Sequence, residues 1–317
     1  MSDLYQHKVP LRLDPKIIKS LSQLRPWRSL LQVALEWGFV IFAIAAAEYT
    51  WSQSESIWLF LPVYLLCIVW IATRQHAMGV LLHEAVHTRL SHSKMINDFI
   101  GEWLLAWPLQ ISLWGYRRQH FLHHRMVGED NDPDCSRMRG VEKYTFPKSP
   151  RQLNFIFVKY MLGFYAPYDG KEAMDHLVVG IPKRLQVTRI ALYVSVIALA
   201  IYFDFWLGLI MYWVIPSSTF LFLFMYIRLV GEHGALKDEG DIFNVTRHVD
   251  PTWLERWLIA PNNVNYHLDH HLYASVPFYN LPKLHDALSD NEIYRSRATI
   301  TEGYFRGLLF GECYRNG

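Results

Sequence analysis

The sequence predicts an all-α, multi-pass membrane protein: about four transmembrane helices, interfacial helices and a histidine-rich cap on the cytoplasmic side. Three observations predict it. Hydrophobic residues make up 51% of the 317 and gather into long uncharged runs, which a soluble domain of this size does not need. The 12 Trp and 18 Tyr suit aromatic belts at two membrane interfaces. Basic residues crowd before the first run and are missing from the short turns between runs. A net charge of only +2 points to no nucleic-acid partner.

Residues 1–28 read as a cytoplasmic N-terminal segment. It carries Lys8, Arg12, Lys16, Lys19, Arg25 and Arg28, and the absence of an apolar core behind these charges predicts no signal peptide. The first span covers 29–47, interrupted only by Glu36, and the second 56–73 without a charge. The third, 187–203, has Arg189 placed to snorkel at its start, and the fourth, 205–227, is uncharged. Such runs cover most or all of a hydrocarbon core of roughly 30 Å at about 1.5 Å per residue. Pro62 and Pro216 are expected to disturb their helices. The turns at 51–55 and Asp204 lack Lys and Arg, so they face away from the cytoplasm, and 74–186 and everything after 228 face it. Residues 99–115 are apolar but contain Glu102, Pro108 and Gln110, and read as a helix pair lying in or dipping into the interface. Residues 154–167 read as a second interfacial helix. One domain, 1–317, is the simplest account. Cys67, Cys135 and Cys313 show no metal-ligand spacing and no disulfide framework, which leaves a thiol-reducing compartment as the default.

Of 15 histidines, most of the sequence signal lies in three groups. The first is HEAVH, with His83 and His87. The second is HFLHH, with His120, His123 and His124. The third is HLDHH, with His267, His270 and His271. Spacings of three and four place side chains on one helical face. At this histidine frequency one HxxHH group arises by chance roughly 0.03 times per chain, so two are strong evidence of a built site. The groups emerge on one side of the membrane only if 99–115 does not cross it. A single zinc takes four ligands, so this many imidazoles imply two ions. Imidazole suits zinc, copper, iron or nickel, and ligand type alone does not choose among them. HEAVH also fits the HExxH helix of zinc proteases, making a membrane zinc metalloprotease the competing class. That reading uses two histidines, leaves both HxxHH groups unexplained and expects one zinc. A non-catalytic metal-binding or transport protein is a third class.

These residues resemble the integral-membrane fatty acid desaturase and hydroxylase superfamily, over roughly residues 56–288. NVNYHLDHHLYASVPFYNLPKLH, 263–285, looks like the third histidine box of acyl-lipid desaturases. HHRMVGEDNDPD, 123–134, looks like the second box and its acidic tail. In such enzymes a ninth histidine follows the last span, and His233 in GEHG matches it. The resemblance implies nine ligands, His83, His87, His120, His123, His124, His233, His267, His270 and His271, around two iron ions, with zinc as a substitute in purified protein. It implies O2-dependent desaturation of a lipid-, CoA- or carrier-linked acyl chain, with hydroxylation or ketolation of a lipid or carotenoid as the alternative. The chain has no recognisable flavin, haem or iron–sulfur motif, so a ferredoxin- or cytochrome b5-type protein is expected to supply electrons. Two details narrow the subtype. Front-end desaturases have Gln where this chain has His267. Some members have Asn four residues before the ninth histidine, where this chain has Leu229.

Other residues carry weaker expectations. His7, His92, His176 and His248 read as surface histidines, and His76 as an interface histidine sharing a face with His83. His285 is a candidate support for the ligands. Glu84, Glu232 and Asp269 are candidates to orient ligand N–H groups, and Asp132 and Asp134 to fix the second-box loop. Trp107, Trp114 and Tyr266 are candidate channel residues. Arg117, Arg118 and Arg125 are candidates for docking the electron donor or for holding lipid phosphates.

Overall fold

The computed structural model describes residues 11–178, 180–236 and 241–314; His7, Lys8 and the side chain of His176 lie outside what it describes. Four helices are long and apolar enough to cross a membrane: Pro26–Ser54, Ile57–Val86, Lys183–Tyr202 and Trp206–His233. Three of them run well past the apolar stretches that announce them. Hydropathy marks where lipid touches the chain, whereas the backbone ladder continues wherever protein covers it.

The first long helix opens with Pro26 in its first turn, where the missing N–H is no loss, and stops at Glu55 in a left-handed conformation (φ 47°). Its buried residues are Ser29, Val33, Glu36, Val40, Ala43 and Ala47, one stripe at alternating spacings of four and three. Leu31, Leu35 and Phe42 on the other side are exposed. A helix apolar on both faces has lipid as its natural second solvent. Glu36 belongs to the protein-facing stripe. It accepts from Gln32 Nε2 at 2.7 Å and pairs with buried Arg74 at 3.1 Å. Arg74 also donates to the Trp257 carbonyl and lies over the Trp70 ring. An uncompensated charge there costs several kcal/mol, and these partners offset it.

The second long helix has 30 residues and is therefore about 45 Å long, against roughly 30 Å of hydrocarbon. Its first half exposes Trp58, Leu59 and Leu66, while nearly every residue from Ile71 to Val86 is buried. The helix thus passes from an exposed apolar half to a buried half that forms the central post of the histidine-rich region, with His83 near its end. The fourth helix does the same for His233. Pro216 lies between two π-helical stretches, Ile210–Val214 and Ser217–Leu221, wide turns that absorb the bond its ring removes.

Residues 94–126 form a helical hairpin, in agreement with the helix pair expected there. Lys94–Phe99 continues through a π-helical turn, Ile100–Ala106, and the chain returns as Leu113–Met126. Glu102, the awkward charge in this apolar segment, ties the turn together. It accepts from Trp107 Nε1 at 2.7 Å, Ser112 Oγ at 2.8 Å and the Leu113 N–H at 2.8 Å. Aromatic donors from three long helices hold the tip. Trp37 donates to the Leu104 carbonyl, Tyr193 to that of Trp107 and Trp213 to that of Pro108. Gly101 lets the hairpin lie flat on the second helix, because a Cβ there would come within 2.7 Å of Ala85 Cβ.

Pro150–Met161 begins with a capping box, Ser149 with Gln152, and buries Leu153, Ile156 and Tyr160 while exposing Phe155, Val158 and Met161. The helix is amphipathic, but the expected 154–167 is not one helix: a turn at 162–165, with Gly163 at φ 76°, separates it from Ala166–Leu177. The C-terminal part is built of short helices around the third histidine group. His248–Asp250 pairs in parallel with Ile300–Glu302, a small departure from an all-helical chain and the one sheet among the described residues.

Candidate metal centre

Each histidine group is presented by a helix whose local sequence explains its start. Ser112 caps Leu113–Met126 by accepting from the Trp114 N–H, and His120, His123 and His124 follow on the buried face. His267–Leu272 is a single short helix with all three of its histidines buried. His83 lies in the last turn of the second long helix, and His87 ends it. Arg117 donates to the Ala85 and Val86 carbonyls and pairs with Asp98. It therefore fastens the helix of the first group to that of the second. Arg118 and Arg125 are exposed.

The nine imidazoles singled out in the sequence come together in two adjoining sets. His83, His87, His120, His124 and His270 form one, and His123, His233, His267 and His271 the other, with donor atoms in each set within 4.8 Å of one another. In the first set Nε2 of His120 lies 2.8 Å from that of His87 and 2.9 Å from that of His124, which is 3.2 Å from that of His270. In the second, Nε2 of His267 lies 2.9 Å from that of His233 and 3.0 Å from that of His271. Nε2 of His271 is 3.2 Å from that of His123. Two nitrogens on one ion at about 2.0–2.1 Å sit about 2.9 Å apart at a right angle and about 3.3 Å apart in a tetrahedron. The observed spacings fit ligands of common ions. Nε2 of His83 is buried with no hydrogen-bond partner among the described residues, as a ligand atom would be.

Electrostatics agrees with that fit. Burial, reinforced by neighbouring imidazoles, holds His120, His124, His267 and His271 well below the usual histidine range. Burial, with Arg228 and His123 adding to it, takes His270 down to about 3. Neutral rings with free Nε2 lone pairs are the form that binds metal. His123 is the exception. Burial lowers it, but Asp134 and the hydrogen bond to Asp132 outweigh that and raise it.

The carboxylates divide by task. Asp132 accepts from His123 Nδ1 at 2.8 Å, and also from the N–H groups of Gly128 and Asp134, so it orients a ring while fixing the loop. Asp134 is 3.7 Å from the same Nδ1. Glu232, paired with Arg228, lies 3.4 Å from His267 Nδ1. His233 Nδ1 donates to the Val245 carbonyl at 3.0 Å. Glu84, weighed as a ligand-orienting group, instead accepts from the Phe278 N–H at 2.9 Å. Asp269 turns away from the nine imidazoles and binds Tyr294 and His285.

A cavity of about 350 Å³ reaches His120 and His123, with Leu109, Leu221, Met225 and Arg137 among its walls. His76 lines it and is buried, so it is no exposed interface residue; its seven-residue offset from His83 was the signal. Trp107, Trp114 and Tyr266 do not line it. Trp107 packs inside the hairpin turn, Trp114 is half exposed, and Tyr266 packs on the His248 ring. His248 is buried, contrary to the surface position expected, because the rings of Tyr266 and His285 pack against its own. His92 is exposed, as expected.

Comparison with known proteins follows the same lines. The family model described as "Fatty acid desaturase" matches residues 56–304, which contain every imidazole of the two sets. Dihydrorhizobitoxine desaturase of Bradyrhizobium elkanii is 24% identical over 93% of this chain and 85% of its own. The chloroplastic omega-6 fatty acid desaturase of Brassica napus is 24% identical over 87% of this chain, and the match spans 62% of that enzyme. The chloroplastic sn-2 acyl-lipid omega-3 desaturase (ferredoxin) of Arabidopsis thaliana is 25% identical over 83% of this chain and 61% of its own. The chain thus spans less than two thirds of the two plant proteins, and the names of all three differ in substrate. Four membrane-length helices, a buried histidine-rich centre and a family match over most of the sequence lead to one conclusion: this chain belongs to the fatty acid desaturase family, a family of oxidoreductases.

Proposed function

We propose that this protein desaturates a fatty acyl chain with O2 at a di-iron site held by His83, His87, His120, His124 and His270 on one side and His123, His233, His267 and His271 on the other. The observation that carries the reading is the division of nine imidazoles, eight buried and His87 half-buried, into adjoining sets of five and four at the end of a cavity. The zinc-protease alternative is not favoured: His83 and His87 share their set with three further imidazoles, and Glu84 is engaged by the Phe278 backbone. Iron bound in the two sets supplies O2 activation and the oxidising power to break an unactivated C–H bond. In the balanced reaction the chain loses two hydrogens, a donor supplies two electrons, two protons are taken up and O2 leaves as two waters.

The protein's own residues do the rest. The cavity between the hairpin, the second helix and the fourth helix admits the chain and keeps water from the reacting carbons. Asp132 and the Val245 carbonyl hold the rings of His123 and His233 by their Nδ1 atoms, so each Nε2 stays aimed at its ion. The histidine centre faces the cytoplasm, where a ferredoxin- or cytochrome b5-type donor delivers electrons. The name of the Arabidopsis relative supports ferredoxin.

Lipid profiling of cells with and without the protein tests this reading, under air and with a competent donor. The expected result is a new unsaturated acyl product that disappears without O2. Unchanged acyl composition under those conditions would refute desaturation, and a hydroxylated product would move the chain to the alternative chemistry of the superfamily.

A further inference from the structure

Behind the third histidine group lies another cluster that the function above does not use. Asp269 stands two residues after His267, about 200° around the helix, so it projects away from the nine imidazoles. It is fully buried. His285 Nδ1 lies 2.9 Å from its Oδ2, and His248 Nδ1 lies 3.8 Å from the same oxygen. Tyr294 OH is 2.5 Å from its Oδ1 and 3.2 Å from His285 Nδ1. The two imidazole rings are stacked, with centroids 4.4 Å apart and 21° between their planes. The donor atoms of His248, Asp269 and His285 lie within 4.8 Å of one another.

One atom is unexplained by hydrogen bonding. His248 is buried, and its Nδ1 has no hydrogen-bond partner among the described residues. An unpaired buried polar atom of this kind costs about 1–3 kcal/mol. It faces the carboxylate oxygen that His285 also approaches.

We propose that His248, Asp269 and His285 form a third metal site, separate from the nine-imidazole centre, that takes a divalent ion of zinc type. Two imidazole nitrogens and one carboxylate oxygen are ligands of the zinc class, and Tyr294 oxygen or a water completes four-coordination. An ion there gives the buried Nδ1 of His248 the partner it lacks. It joins the strand His248–Asp250, the helix His267–Leu272 and the helix Leu281–Ser289, with Glu292–Arg297 behind them. Its role is to fix the orientation of the helix that delivers His267, His270 and His271.

The test uses the full chain, purified in detergent and equilibrated with zinc, and locates zinc by anomalous diffraction at the zinc edge. A peak bounded by His248, Asp269 and His285 is expected. The double variant His248→Gln, His285→Gln is expected to bind one zinc fewer per chain, to melt at lower temperature and to release its iron to a chelator more readily than the parent. Absence of a peak at this position in the parent protein would overturn the proposal, whether or not the variant folds. Loss of iron from the nine imidazoles with the zinc peak retained would count against the di-iron reading alone.

Discussion

An imidazole serves one ion well when its second nitrogen is held by a fixed acceptor, because that bond sets both tautomer and ring direction. His123 and His233 show this most clearly, the first through Asp132 and the second through the Val245 carbonyl. Asp132→Asn keeps the side chain's size and its place at the start of Pro133–Met138 but removes the charge. It is expected to weaken the ion of the four-histidine set by about 10–100-fold, read as metal affinity by competition with a chelator. His233→Ala takes one imidazole from the same set. Occupancy of that ion is expected to fall, with activity lost because O2 chemistry needs the pair, while the five-histidine set keeps its metal. His92→Ala, at an exposed position, is the control and leaves both ions in place. If His233→Ala retained both ions and normal turnover, His233 would have to leave the ligand set. The grouping of histidines was legible because three- and four-residue spacings survive in any helix. Which carboxylate serves which ring was not. Asp132, nine residues beyond His123, turns back to reach it, whereas Asp269, inside its own group, points to the opposite side.

At the scale of elements, a buried charge decides the path of the hairpin. A helix carrying Glu102 across lipid would bear a bare carboxylate, whereas a hairpin gives that carboxylate three donors. Glu102→Ala leaves those donors without their acceptor. At about 1 kcal/mol or more per buried group it is expected to cost about 3 kcal/mol or more, seen as a lower melting temperature in detergent. Gly101→Ala tests the packing of hairpin on post. The added methyl meets Ala85 and Leu113, and overpacking of this kind costs about 1–3 kcal/mol. Ala85 lies between His83 and His87, so occupancy of the five-histidine set is expected to drop as well. Normal stability and full occupancy in Gly101→Ala would contradict the close contact. The existence of this helix pair was legible from Glu102, Pro108 and Gln110. Its anchoring was not, since Trp37, Tyr193 and Trp213 reach its carbonyls from sequence-distant helices.

For the whole molecule, the four long helices act as a frame that delivers three of the nine histidines directly, His83, His87 and His233, and supports the elements that carry the others. The second helix presents His83 in its last turn and closes at His87, and the fourth ends at His233, so helices long enough to cross a membrane also build the site. Spans were readable from hydropathy, but their lengths were not, because the cap covers the ends and frees those residues from any need to be apolar outside. Labels placed at 51–55 are expected to react only from the non-cytoplasmic side, and labels at Glu129 only from the cytoplasm. Reaction of Glu129 from the far side would separate the histidine groups and break the single-site account. The most direct measurement is the number and kind of iron ions, made by Mössbauer spectroscopy and metal analysis on the full chain loaded with iron-57. The account predicts two irons per chain in two distinguishable nitrogen-rich environments, the one assigned to the four-histidine set fading in His233→Ala. A single iron per chain, or two whose signals are untouched by His233→Ala, would contradict it.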